Sequence, residues 1–241
     1  MPCPIRDKAG DFISFGEHNN VYINGRGECM FVKGIMKPAH KSYTAEDSTT
    51  LGEVLKVLYE KDIEAMPVLK AGKFEGMISK EIIFRAYFNG EEGMDRQTFL
   101  KEIKAGDVVL HKGFSIHDEE VFEQTLPMFK GFSVLAVVDK TNKFLGLVTR
   151  YDVIEQFESA FGVKKQGVRI AFTSEESSGR IERLGDIIKS YHENVISLAT
   201  FDETDKLARR IILKIEDNDN IDAFTKKLEK TGFRILSVKR V

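Results

Sequence analysis

Cysteine is scarce: the sequence holds two, Cys3 and Cys29, both near one end. Two thiols placed this way build neither a disulfide framework nor a metal site, so a reducing, cytoplasmic location is expected. A basic excess is also missing. The formal net charge is −2, which argues against a nucleic-acid partner. Long apolar runs are absent too; stretches such as Val134–Val138 are strand-length, far short of the ~20 residues that cross a bilayer. The start, Met1-Pro2-Cys3-Pro4, lacks a basic-then-apolar secretory pattern. No Gly-rich Walker loop, His-Glu-x-x-His or Cys-x-x-Cys occurs. His18, His40, His111, His117 and His192 are scattered and mostly beside charged residues, so they are read as surface residues and no metal is expected. No nucleophile–base pair stands out, which leaves catalysis without a candidate.

What is present is enough apolar side chain, 42% of 241 residues, to build real cores. Residues 1–30 differ from the rest. They are rich in Gly, Asn and Asp, carry no sustained periodicity, and are expected to form a flexible extension. Phe12–Phe15 and Val21–Ile23 can pair as a short hairpin around Asn19-Asn20, and Met30 is an alternative start.

An internal repeat organises residues 31–161, with a spacing of 70 measured from Gly76 to Gly146. The first copy runs through Tyr43-Thr44-Ala45, Thr50–Tyr59, Ala65–Leu69 and Phe74–Ser79. The second runs through Val108-Val109-Leu110, Ile116–Phe129, Ser133–Asp139 and Phe144–Thr149. Each copy reads strand, helix, strand, tight turn, strand, helix. Leu51, Val54, Leu55 and Leu58 form a helical stripe, opened by a Thr50/Glu53 capping box. Ala71-Gly72 and Thr141-Asn142 carry hairpin-turn chemistry. Pro127 should kink or shorten the matching helix of the second copy.

The repeat resembles the CBS domain. Met66-Pro67-Val68 followed by Gly76-Met77-Ile78-Ser79 carries the likeness in one copy. Ala136-Val137-Val138-Asp139 followed by Gly146-Leu147-Val148-Thr149-Arg150-Tyr151-Asp152 carries it in the other. The resemblance implies a pseudo-two-fold pair of β-α-β-β-α repeats whose clefts bind adenosine-containing ligands, and it implies a homodimer. It also implies roles for single residues. Thr149 and Asp152 would meet the ribose, and Arg150 a phosphate. The strand holding Ser133, Val134 and Ala136 would read the adenine edge, with Val109 as the wall beside it. No metal belongs to this picture; the ligand expected is an adenine nucleotide, AMP, ADP or ATP.

The chemistry suits that assignment, because a helix N-terminus offers free N–H groups and partial positive charge to a phosphate. Thr149-x-x-Asp152 at a helix start is equally a capping box, which needs no ligand. In the first copy Ser79 takes the hydroxyl position, but Ile82 stands where the acid should be. Glu81 is adjacent yet points about 100° away around the helix. With Lys80 and Thr44 nearby, that copy is expected to bind weakly or something different, leaving one good site per chain.

After Gly162–Gly167, read as a polar linker, the pattern changes. Val168–Phe172 alternates as a strand, and Gly179–His192 carries the stripe Ile181, Leu184, Ile187, Ile188. Strands at Val195–Phe201 and Leu207–Ile215 follow, then a helix at Ile221–Lys230 closed by Gly232, then a strand at Phe233–Val238. The order βαββαβ is that of a ferredoxin-like unit. It resembles an ACT domain. Glu176-Ser177-Ser178-Gly179-Arg180-Ile181 stands where that family reads roughly Asp-x-Pro-Gly-x-Leu. The resemblance implies an amino-acid site at Ser177, Ser178 and Gly179 and dimerisation through the sheets. A plain helix-start loop explains the same residues.

The expected fold is therefore α/β (α+β): an extension (1–30), CBS repeats (31–92 and 93–162) and an ACT-like domain (163–241). This order of domains is similar to the acetoin utilisation protein B family of bacterial regulators. It implies a non-catalytic sensor of an adenine nucleotide that acts on a separate protein, with no nucleic-acid or membrane partner. The alternative is an interaction module that dimerises without ligand.

Overall fold

The computed structural model describes residues 31–90, 94–129, 132–175, 179–202 and 208–241. These fall into two compact units that divide at Val153 and Ile154. The N-terminal extension with its hairpin and alternative start, and Ser177 and Ser178, lie outside the described residues.

The first unit opens with a helical turn α1 (Val32–Ile35) and a two-residue strand β1 (Lys37–Pro38). The first repeat follows as β2 (Ala45–Glu46), α2 (Leu51–Glu60), β3 (Ala65–Lys70), β4 (Lys73–Ser79) and α3 (Lys80–Phe88). Helices α4 (Arg96–Glu102) and α5 (Ala105–Val108) lead to the second repeat. That copy is β5 (Ser115–His117), α6 (Thr125–Met128), β6 (Val134–Val138), β7 (Phe144–Thr149) and α7 (Arg150–Ala160), the helix within which the division between the units falls.

Local sequence sets these elements. Thr50 caps α2 by accepting from the Glu53 amide while the Glu53 carboxylate accepts from the Thr50 amide, a full capping box. The stripe Leu51, Val54, Leu55 and Leu58 is buried; covering a side chain such as Leu58 contributes about 1.5–3 kcal/mol. Ala71 and Gly72 turn the first hairpin with φ of 50° and 76°, the left-handed pair a tight two-residue hairpin turn needs. Asn142 turns the second with φ 64°.

The two repeats pack through their sheets, β2-β3-β4 and β1-β7-β6-β5. Leu69, Phe74 and Met77 meet Val134, Val138, Phe144 and Leu147 in one apolar cluster. The hairpin tips exchange hydrogen bonds in matching positions. The Phe74 amide donates to the Asn142 carbonyl at 3.1 Å, and the Phe144 amide donates to the Gly72 carbonyl at 3.0 Å. With the 70-residue repeat, these bonds map onto each other, the signature of a pseudo-two-fold axis.

The second repeat departs from expectation at its start. Val108 ends α5, while the Leu110 amide and carbonyl pair with Met77 of the first repeat's β4. The strand that pairs parallel with β6 is Ser115–His117 instead. Its single buried apolar residue, Ile116, gives little period to read. Upstream, Val109 is buried and Val108 partly buried against the first repeat's core, while Leu110 joins it through its backbone. The helix expected across Ile116–Phe129 shrinks to a 3₁₀ turn at Phe122–Gln124 and the four residues of α6, which contain Pro127. His111, read as a surface residue, is half-buried with its ring 4.7 Å from Phe114 and 4.8 Å from Phe132.

The second unit holds β8 (Val168–Glu175), α8 (Arg180–Ser190), β9 (Val195–Asp202), β10 (Ala208–Ile215), α9 (Ile221–Lys230) and β11 (Arg234–Arg240). The antiparallel order β11-β8-β10-β9 is the ferredoxin-like arrangement of βαββαβ. Leu184 and Ile187 of α8 and Ile221, Phe224 and Leu228 of α9 close over Ile170, Phe172, Ile211 and Leu213. Ile181 does not join them; it is 47% exposed. The segment read as a polar linker packs within this unit. The Gly162 carbonyl accepts from the buried Lys214 Nζ at 3.0 Å, and a Cβ on Gly167 would lie 2.4 Å from the Ile215 carbonyl.

Candidate functional site

Both repeats end a strand on a hydroxyl residue that starts a helix. Ser79 Oγ accepts from the Ile82 amide at 3.2 Å and so caps α3. Thr149 Oγ1 accepts from the Asp152 amide at 3.2 Å and donates to Asp152 Oδ2 at 2.6 Å. The Thr149 amide donates to the same oxygen at 2.7 Å. The capping box that the sequence offered as an alternative is thus formed. It occupies Oδ2, while Oδ1 takes no part in it. In the first copy Ile82 is buried, so the position of the missing acid is filled by apolar packing.

Glycines let the strands before these caps lie close to their neighbours. A Cβ on Gly146 would stand 2.3 Å from the Lys37 carbonyl of β1. At Gly76 a Cβ would stand 2.5 Å from the Leu110 carbonyl and 2.7 Å from Val109 Cγ2. Each repeat's sheet is therefore edged by chain that precedes the other repeat.

The pseudo-two-fold arrangement brings the starts of β3 and β6 and the N-termini of α3 and α7 around one cleft of about 450 Å³. Ser79, Ser133 and Arg150, all expected at the site, line it. Lys80, Asp62, Glu64, Glu81 and Phe132 line it as well. The Arg150 amide donates to the Ser133 carbonyl at 2.9 Å, and its Nη2 donates to the Phe129 carbonyl at 2.7 Å. Lys80 Nζ sits 4.4 Å from the centre of the Tyr59 ring, within cation–π range. Glu81 pairs with Arg85 one turn along α3. Ser133 Oγ donates to Glu64 Oε2, a bond that joins the second repeat to the first across the cleft.

The other expected residues lie around this cleft or in the core. Thr149 and Asp152 do not line it; they are half-buried at the start of α7, next to Arg150. Val134 is paired with Thr149 in the β6–β7 ladder. Ala136 is fully buried between the sheets, and its amide already donates to the Phe114 carbonyl. Val109 is buried against the first repeat's core. Thr44 is exposed just before β2. Gly179, the described member of the second unit's loop, has φ 80° and precedes α8.

Sequence reasoning passed over Asp62 and Glu64. Glu64 stands immediately before β3, as Ser133 stands immediately before β6, and Asp62 lies two residues further upstream. Aligning the two copies at those positions is the signal that reveals them.

A pair of β-α-β-β-α repeats joined through their sheets, with two capped helix starts around one cleft, defines the class of module. Residues 32–89 and 105–159 match the CBS domain, one match for each repeat. An uncharacterized protein of Methanocaldococcus jannaschii, MJ1232, is 31% identical over 121 residues, 49% of this chain and 37% of that protein. A second from the same organism, MJ0188, is 27% identical over 147 residues, 59% of this chain and 51% of that protein. The chain thus spans between a third and about half of these relatives. Among solved structures, CBSX2 in complex with AMP is 24% identical, with a TM-score of 0.47, covering 56% of this chain and 99% of that one. Among the described residues no helix is long and apolar enough to cross a membrane, and no group of three or more His, Cys, Asp or Glu is arranged to hold a metal ion.

Proposed function

We propose that this chain is a non-catalytic regulator whose CBS pair senses an adenine nucleotide. The observation that carries the reading is the cleft at the pseudo-two-fold axis, about 450 Å³, within the size range of small-molecule sites. Two helix N-termini, each backed by a long enough helix to polarise it, face this space. In the proposal the phosphate lies in the cleft near Arg150, Ser79 and Lys80. The ribose reaches Asp152 Oδ1 and Thr149, and the adenine lies against Ser133 and the start of β6 at Val134. Thr44 and Ser79 serve the weaker first-copy position. Binding biases the arrangement of the two repeats, and so a separate regulated protein, only insofar as the ligand prefers one arrangement.

The second unit is proposed as an ACT-type module that contributes dimerisation and, at the loop before α8, a second small-molecule position. The whole then corresponds to a homodimeric cytoplasmic regulator of the acetoin utilisation protein B type. A thermal-shift panel of AMP, ADP, ATP and S-adenosylmethionine tests the sensing role. Stabilisation by at least one of them is expected, because a ligand bound only to the folded state raises its stability. A flat response to all four at millimolar ligand contradicts it.

One observation favours a second reading. Thr149 and Asp152 satisfy each other as a cap, so the motif is accounted for without ligand, and the pair then serves as an interaction module only. The same panel separates the two readings.

A further inference from the structure

We infer that the cleft selects adenosine ligands with one phosphate over those with three, and that Glu64 sets this preference. The inference rests on the nucleotide-sensing reading and adds the class of nucleotide to it.

The charges on the cleft wall are mixed, and their partners differ. The cations are Lys80 and Arg150, and the carboxylates are Asp62, Glu64 and Glu81. Arg150 is tied by Nη2 to the Phe129 carbonyl, a bond to a neutral acceptor that leaves its charge uncompensated. Lys80 rests over Tyr59 and likewise keeps its charge. Glu81 is offset by Arg85. Glu64 is held by Ser133, a neutral donor that fixes the carboxylate in place without cancelling its charge.

A first phosphate therefore finds two cations and two helix N-termini. Each further phosphate adds negative charge in a cleft whose remaining fixed charges are the Glu64 and Asp62 carboxylates. Like charges brought together in a partly enclosed site oppose binding. Glu64 is the decisive one because its hydrogen bond runs between the two repeats: the carboxylate swings aside only if that bond breaks. Its role is selectivity, not affinity for adenosine.

The test is calorimetric titration of the full chain with AMP and with ATP, free of magnesium and at low salt, in wild type and Glu64→Gln. The glutamine keeps an acceptor for Ser133 and removes the charge. Wild type is expected to bind AMP about tenfold more tightly than ATP, and the variant to narrow that ratio to about threefold or less. Should the variant fail to fold, salt provides the second measurement: raising ionic strength narrows the wild-type ratio, because screening weakens charge repulsion. ATP binding as tightly as AMP in wild type overturns the inference and leaves nucleotide sensing standing. So does an AMP-to-ATP ratio unchanged in folded Glu64→Gln or, where that variant does not fold, unchanged by salt. Absence of binding by either nucleotide removes both the inference and the reading beneath it.

Discussion

Thr149 and Asp152 grip each other across the first turn of α7, the hydroxyl donating to Oδ2 at 2.6 Å and accepting from the Asp152 amide at 3.2 Å. One carboxylate thus has a structural duty on one oxygen and a second oxygen outside the cap. Asp152→Asn keeps an acceptor for the Thr149 amide and is expected to leave the melting temperature nearly unchanged. Asp152→Ala loses the acceptor and is expected to cost about 0.5–2 kcal/mol, the range for lost caps. Thermal unfolding of the two variants checks the difference; equal destabilisation by both would show that charge, not hydrogen bonding, holds the turn.

Gly146 is the point where β1 meets β7. A Cβ there would come within 2.3 Å of the Lys37 carbonyl, and both partners are backbone, so neither can swing away. Gly146→Ala is expected to push the Lys37–Pro38 pairing off β7 and to destabilise the first unit by about 1–3 kcal/mol, the usual cost of overpacking. Denaturant unfolding measures this. An unchanged midpoint would mean that the β1 pairing contributes nothing to stability.

In the second unit, Lys214 is buried and its Nζ donates to the Gly162 carbonyl at 3.0 Å. Lys214→Ala removes a charged donor and leaves a carbonyl without it. The expected loss is about 1–3 kcal/mol, read as a lower denaturant midpoint for the second unit. A midpoint equal to wild type would show that water replaces the amine at no cost.

Several exposed carboxylates are held below their ordinary range by hydrogen bonds. The Thr50 hydroxyl and amide do this for Glu53, and the Thr141 hydroxyl, then the Lys143 amide, for Asp139. A carboxyl whose folded value is depressed stabilises the fold above its unfolded value and loses that contribution as pH falls through the folded one. Melting temperature should therefore fall as pH drops through the ordinary carboxylate range and below it. Thr50→Val and Thr141→Val together should flatten that slope. A slope identical to wild type in the double variant contradicts the assignment.

Features carried by one short segment were legible in the sequence. The Thr50–Glu53 box, the buried stripe of α2 and the βαββαβ order of the second unit each follow from neighbouring residues. Contacts between the repeats were not. Val109 and Leu110 looked like a strand of their own copy, yet Val109 packs its side chain on the other copy's Gly76 and Leu110 pairs its backbone with Met77. The real strand, Ser115–His117, has one apolar residue in three. The same limit applies to the cleft. Ser79 and Arg150 were found from a motif, whereas Glu64 reaches Ser133 from 69 positions away, and no periodicity in either segment announces that bond. Ile181 fits the helical stripe of α8 by spacing, yet it stays exposed and outside the buried cluster.

The most direct test of nucleotide sensing is AMP titration by calorimetry into wild type, Asp152→Asn and Arg150→Ala. Saturable binding with one strong site per chain is expected in wild type, weakened at least about tenfold in each variant, the usual effect of losing one charged hydrogen-bonding partner. Wild-type affinity retained in Asp152→Asn and Arg150→Ala alike, or no heat of binding in wild type, would contradict the account.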